Sequence, residues 1–164
     1  METESLIALA VILAASFLTA STAAVFRPGP WYASLAKPSW VPPNWLFPPA
    51  WALMYALMSA AAFLVWLFAA PGEGTTALTV YGIQLVLNAL WSPIFFGLRR
   101  MGWAFVAVMA LWLAVLATTL LFFQVNYWAG LMFLPYLLWV TFASFLNLTM
   151  WRLNRRGAGA TAGA

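Results

Sequence analysis

The sequence predicts an all-α fold, an integral membrane bundle of five transmembrane helices, and three observations carry that prediction. First, 66% of the residues are hydrophobic and only 6% are charged, where soluble domains carry about 25% charged residues. Second, five stretches are each apolar over the roughly 20 residues that a helix needs to cross a bilayer. Third, those five spans place every Lys and Arg on one side of the membrane. A chain of this composition has lipid as its solvent. In lipid the backbone must satisfy its own N–H and C=O groups, which leaves helices or closed barrels. Barrel strands alternate apolar and polar residues. Residues 104–123 are apolar on every side, which fits a helix and not a barrel strand.

The first span covers residues 6–26. It opens on Glu2 and Glu4 with no Lys or Arg, unlike a secretory signal with its positive start, and is read as a retained helix. Residues 27–44 form the one long connection. They hold Arg27, Pro28, Gly29, Pro30, Trp31, Tyr32, Lys37, Pro38, Trp40, Pro42 and Pro43. Long loops are functional or disordered as a rule, and this density of proline and aromatic side chains predicts a stiff, apolar lid.

The second span covers residues 46–70. Pro48 and Pro49 sit near its start, where missing N–H donors matter least, and Pro71, Gly72 and Gly74 end it. The third covers residues 77–98 and closes on Arg99 and Arg100; the fourth covers 102–123. The fifth covers 128–151 and closes on Arg152, Arg155 and Arg156. Together residues 1–156 make one membrane domain, and residues 157–164, rich in Gly and Ala, are expected to form a flexible tail. Pro93 and Pro135 fall inside the third and fifth spans and should kink them. The kinks are either merely tolerated or open a cavity. The remaining connections are short, so successive helices run antiparallel.

With five spans, Arg27, Lys37, Arg99, Arg100, Arg152, Arg155 and Arg156 share one side, while Glu2, Glu4 and Glu73 share the other. The positive-inside rule then puts the C-terminus in the cytoplasm and the N-terminus outside, in a membrane of the bacterial inner-membrane type. The net charge of +4 is read as attraction to anionic headgroups, with no nucleic-acid partner.

The chemical inventory is sparse. The chain has no His and no Cys, which removes the usual proton shuttle and any thiolate or disulfide. No Asp or Glu lies within a span, although coupled pumps and transporters commonly place ionisable groups there. No cluster of metal-ligand residues exists, and no nucleophile–base pair can be assembled. Hydrolysis, phosphoryl transfer and metal catalysis are excluded, so no catalytic or metal-binding residue and no obligatory cofactor is assigned.

Aromatic surface is abundant instead, with 11 Trp. Trp31, Trp40, Trp45, Trp103, Trp128 and Trp151 lie near span ends, where an interfacial belt is expected. Trp51, Trp66, Trp91, Trp112 and Trp139 lie deeper, where an indole N–H needs a partner that lipid tails do not offer. Helical spacing groups Gln84, Asn88 and Trp91 on one face of the third span. It groups Trp51, Tyr55 and Met58 on the second, and Trp139, Ala143 and Asn147 on the fifth. Gln84 and Asn88 alone read as interhelical hydrogen-bonders. Three such faces together predict a flat-walled, sparsely polar pocket for a planar aromatic or sterol-like ligand. Ala15, Thr19 and Ala23 are small enough for close helix packing.

The motifs also resemble a known family. Trp31-Tyr32, Lys37-Pro38-Ser39-Trp40-Val41-Pro42-Pro43 and Pro49-Ala50-Trp51 are similar to the tryptophan-rich sensory protein family, TspO/MBR, whose animal members are the translocator proteins or peripheral benzodiazepine receptors. Asn88-Ala89-Leu90-Trp91-Ser92-Pro93, Phe95-Phe96-Gly97 and Pro135-Tyr136-Leu137-Leu138-Trp139 carry the same resemblance, over about residues 5–155. It implies a five-helix bundle, usually a homodimer, that binds porphyrins such as protoporphyrin IX and isoquinoline carboxamide or benzodiazepine-type ligands, and sterol in some members. The matching pocket positions are Tyr32, Pro42, Trp51, Tyr55, Asn88, Trp91, Trp139 and Ala143. With Gln84 from the helical face and Trp40 from the lid, these make the candidate ligand-binding set. Residues 146–152 lack the tyrosine of the animal cholesterol motif, which speaks against sterol and for a bacterial-type, tetrapyrrole-handling member. Three functions follow: porphyrin sensing or handling, light-driven oxidative degradation of bound porphyrin, and transport of porphyrin or sterol. In the first, Arg27 or Lys37 is the candidate partner for the propionates.

Overall fold

The computed structural model describes residues 2–70 and 72–160, with side chains described through Arg155. It is 86% helical, with no strand among the described residues. Six α-helices follow in order: α1 (Thr3–Val25), α2 (Pro30–Ser34), α3 (Phe47–Phe68), α4 (Glu73–Ser92), α5 (Met101–Val125) and α6 (Tyr127–Ala160). All but α2 are long and apolar enough to cross a membrane, so the protein is a multi-pass membrane protein built as expected.

The short helix α2 lies inside the long connection, started by Pro30 at its first position, where a fixed φ and a missing N–H cost least. A single 3-10 turn, Asn44–Leu46, then leads into α3. The third span begins at Glu73, four residues before the expected residue 77. Gly72 makes this possible: its φ of 94° lies in the region that only glycine enters freely, so the chain reverses there. Gly74 is buried so near Ala69 that a Cβ would stand 2.7 Å from the Ala69 Cβ. Pro71, read as part of the same break, lies outside the described residues.

The two internal prolines behave differently. At Pro93 the helix passes into a π-turn, Pro93–Gly97, closed by the Leu98 N–H donating to the Pro93 carbonyl at 2.8 Å. Proline has no N–H for the α-ladder, and the wider turn re-forms the bonding one residue further on. At Pro135 the α-helix continues without interruption. The fifth span also continues past Trp151 to Ala160. It thus takes in the start of the expected tail, whose last four residues lie outside the described residues.

The spans close a ring in the order α1, α3, α6, α5, α4. α1 sits at the edge and turns only Ile12, Ser16 and Thr19 inward, at the spacing of one helical face. Ser16 bonds Ser59 of α3 at 2.9 Å and Tyr81 of α4 at 3.1 Å, a polar tie where lipid supplies no partner. Thr19 is buried and Ala15 packs against the core, so these small residues serve the bundle's own packing. The main core joins Met58, Val65, Tyr81, Val115, Phe133 and Tyr136. A second cluster, Tyr32, Phe95, Ala104, Leu146 and Met150, lies at the lid end, and Trp91 packs against both.

Candidate functional site: an aromatic wall backed by a polar chain

α3 and α6 face one another through Trp51 and Trp139. Their rings meet edge to face, centroids 6.3 Å apart. Trp51 also stands 5.7 Å from Tyr55 and 6.2 Å from Tyr136. Trp139 is flanked by Phe47 at 5.9 Å and Phe142 at 5.7 Å, and Trp40 from the lid meets Phe142 at 5.8 Å. These separations and tilts are those that aromatic quadrupoles favour. Trp51, Tyr55, Trp139 and Ala143 are half-buried and Trp40 is exposed, so the wall keeps open surface for a flat ligand.

Behind it runs a polar chain. Asn88 Nδ2 donates to Tyr136 Oη at 2.7 Å, and Tyr136 Oη donates to Gln84 Oε1 at 3.2 Å. All three side chains are buried, Gln84 completely. The interhelical bonding expected of the two amides is therefore present. Its acceptor in α6, Tyr136, is absent from the sequence-derived site, although it lies one turn before Trp139 and so shares its face. The chain ends on Gln84 Nε2, which has no hydrogen-bond partner among the described residues. An orphaned buried donor costs about 1–3 kcal/mol.

Trp91 sits apart from the wall. It stacks on Phe95 at 5.0 Å, and its indole N–H donates to Asn147 Oδ1 at 3.3 Å; Asn147 Nδ2 in turn donates to the Met101 carbonyl at 3.0 Å. Trp112 also finds its partner, donating to Thr141 Oγ1 at 2.7 Å. Trp66, expected to face protein, is 44% exposed. It falls two residues before the end of α3, where an indole reaches the membrane interface.

Tyr32 and Pro42 line an open cleft of about 670 Å3 within the lid, together with Lys37 and Asn44. Tyr32 packs edge-on against Phe95 and Phe96 at 6.4 and 5.5 Å, which pins α2 to the π-turn. Burial pushes its phenol above the usual range and keeps it neutral. Lys37 Nζ lies 4.6 Å from the Tyr32 ring centre and donates to the Ala33 and Leu35 carbonyls. The expected site thus divides into three groups: the wall and its polar chain, the stacked Trp91, and the lid cleft. Among the described residues no cluster of metal-ligating side chains is present.

Comparison with known proteins agrees with this architecture. The family model described as "TspO/MBR family" matches residues 6–152. The chain belongs to the TspO/MBR family. CrtK of Rhodobacter capsulatus is 48% identical over 151 residues, covering 92% of this chain and 94% of that protein. The tryptophan-rich sensory protein of Cereibacter sphaeroides is 48% identical over 142 residues, covering 87% and 88%. The human translocator protein is 42% identical over 131 residues, covering 79% and 78%. The TspO/MBR match takes in every wall residue, all three lid aromatics and the whole polar chain.

Proposed function

We propose that this protein is a membrane receptor or sensor that binds porphyrins, protoporphyrin IX among them, in tetrapyrrole handling or stress response. The same wall would take planar hydrophobic ligands of the isoquinoline carboxamide and benzodiazepine type. The observation that carries this reading is the Trp51–Trp139 contact, two indoles from facing helices with Tyr55 and Tyr136 alongside. A macrocycle gains from such a wall both apolar burial and quadrupole contact. Lys37 and Arg27, at the lid, are the cations that would meet its propionates. The Cereibacter relative is named a sensory protein, which supports the sensor reading. A homodimer in the bacterial inner membrane, N-terminus outside, completes the proposal.

The test is a titration of the protein in nanodiscs with protoporphyrin IX in the dark, following tryptophan fluorescence. Saturable binding at about micromolar, roughly −8 kcal/mol, is expected. Folded protein that shows no saturable quenching contradicts it.

The same contact favours a second reading, in which bound porphyrin is oxidised by dioxygen under light with Trp51 and Trp139 as redox partners. Illuminated turnover that disappears in a W51F/W139F variant supports it, and bleaching at the protein-free rate counts against it.

A further inference from the structure

Arginines gather where α5 begins and α6 ends. In the ring α6 lies between α3 and α5, and its Trp151 packs on α5, stacking with Phe105 at a centroid distance of 6.0 Å. Gly102, in the first turn of α5 just after Arg100, makes room for that indole: a Cβ there would stand 3.2 Å from the Trp151 ring. The Arg155 guanidinium lies 5.6 Å from the centre of the same ring, so Trp151 brings the last turn of the fifth span to the start of the fourth. Beside them the Arg99 guanidinium lies 6.0 Å from the Trp31 ring centre, and Trp31 and Met101 pack on one cluster. Arg99, Arg100 and Arg155 are all exposed. The three acidic side chains, Glu2, Glu4 and Glu73, flank the opposite ends of the spans, so no acidic side chain neutralises this edge.

Topology alone does not account for this edge. A positive charge near a span end orients the span wherever it sits, and lysine serves as well as arginine. Arg99 instead takes a φ of 56°, which costs an arginine energy that a glycine would not lose, and position 102 lacks the side chain that would displace Trp151. Trp103 is 65% exposed, as indoles at the membrane interface are, so these guanidinium groups stand at the headgroup layer. A guanidinium fork pairs with phosphate oxygens through two parallel N–H bonds. A zwitterionic headgroup would bring its own ammonium to the arginines, whereas an anionic one complements them. We propose that Arg100 and Arg155, set by Trp151 and with Arg99 beside them, bind the phosphodiester of an anionic phospholipid in the leaflet on the lid side. The site is separate from the Trp51–Trp139 wall, and porphyrin binding does not enter its test.

The probes are phosphatidylglycerol and phosphatidylcholine with the same acyl chains, mixed equally in nanodiscs, with retained lipid counted by native mass spectrometry. Wild type is expected to retain phosphatidylglycerol about tenfold over phosphatidylcholine. One arginine at a membrane surface is worth about fivefold in affinity for anionic lipid, so R100Q and R155Q should each lower the preference by about that factor. R27Q removes the same charge on the same side. Its guanidinium is tied to the Ala24 carbonyl at 2.7 Å beyond α1, which neighbours neither α5 nor α6 in the ring, and the preference should survive there. A second measurement needs no variant: phosphatidylglycerol carrying a headgroup diazirine is expected to label residues 99–105 and 151–155. Soluble glycerol phosphate in excess is expected not to displace it. No preference in wild type, a preference that survives both R100Q and R155Q, an equal loss in R27Q, labelling centred elsewhere, or displacement by glycerol phosphate overturns the assignment.

Discussion

Asn154 of α6 and Ala36 of the lid bond each other twice: Asn154 Oδ1 accepts the Ala36 N–H at 3.0 Å, and Asn154 Nδ2 donates to the Ala36 carbonyl at 3.0 Å. The same Nδ2 donates to the Met150 carbonyl at 2.8 Å, so the amide is aimed from its own helix. This pair clasps the connection beyond α2 to the end of the bundle, next to the cleft lined by Tyr32 and Pro42.

Breaking that clasp should free the lid without unfolding the spans. N154A loses both hydrogen bonds to Ala36, together worth about 1–3 kcal/mol, along with the one to the Met150 carbonyl within its own helix. Hydrogen exchange of residues 33–44 should accelerate while exchange within α4 and α5 stays slow. Ligand association and dissociation should both quicken. Unchanged exchange in the lid would show that Tyr32 and Phe95 hold it alone.

Asn126 is the single residue between α5 and α6, and its Oδ1 accepts from the N–H groups of Trp128 and Ala129 at 2.9 and 3.1 Å. It caps α6, whose first N–H groups have no partner within the helix. N126A should lower stability by about 0.5–2 kcal/mol, and N126D or N126S should recover most of it. Thermal unfolding in one detergent checks this, and equal melting of N126A and wild type would refute the cap.

Close approach at the same hairpin gives a second stability test. A Cβ on Gly130 would overlap the Phe123 ring, whereas one on Gly82 meets nothing within 4 Å. G130A should cost about 1–3 kcal/mol through forced displacement of that ring, and F123A should relieve part of the cost in the double variant. G82A should be neutral or stabilising by up to about 1 kcal/mol, since alanine favours helix over glycine.

The fold was legible because lipid leaves few choices. Span length, apolar faces and the sorting of Arg99, Arg100 and Arg152 identify the helices without any packing detail. Boundaries were legible only where a breaker is unambiguous. Residues 73–76 look like loop by their polarity, yet they begin α4, because Gly72 turns the chain and Gly74 lets it pack on Ala69. The π-turn could not be read from Pro93 alone, since Pro135 sits in an unbroken helix. Within the site, helical spacing correctly put Trp51 with Tyr55 and Gln84 with Asn88 on shared faces. It could not show that Tyr136 joins the faces of α4 and α6, nor that Trp91 belongs to a stack with Phe95. Those facts depend on the ring order α1, α3, α6, α5, α4, which a pattern on single helices does not contain.

The most direct measurement compares protoporphyrin IX affinity in the dark for wild type, W51A, W139A and W128A, in nanodiscs and at matched folded fraction. Trp128 is 64% exposed at the start of α6 and serves as the belt control. The wall predicts a loss of about tenfold or more in W51A and W139A, at least 1.4 kcal/mol each, with W128A unchanged. Equal affinity in all four proteins would contradict the wall as the porphyrin site.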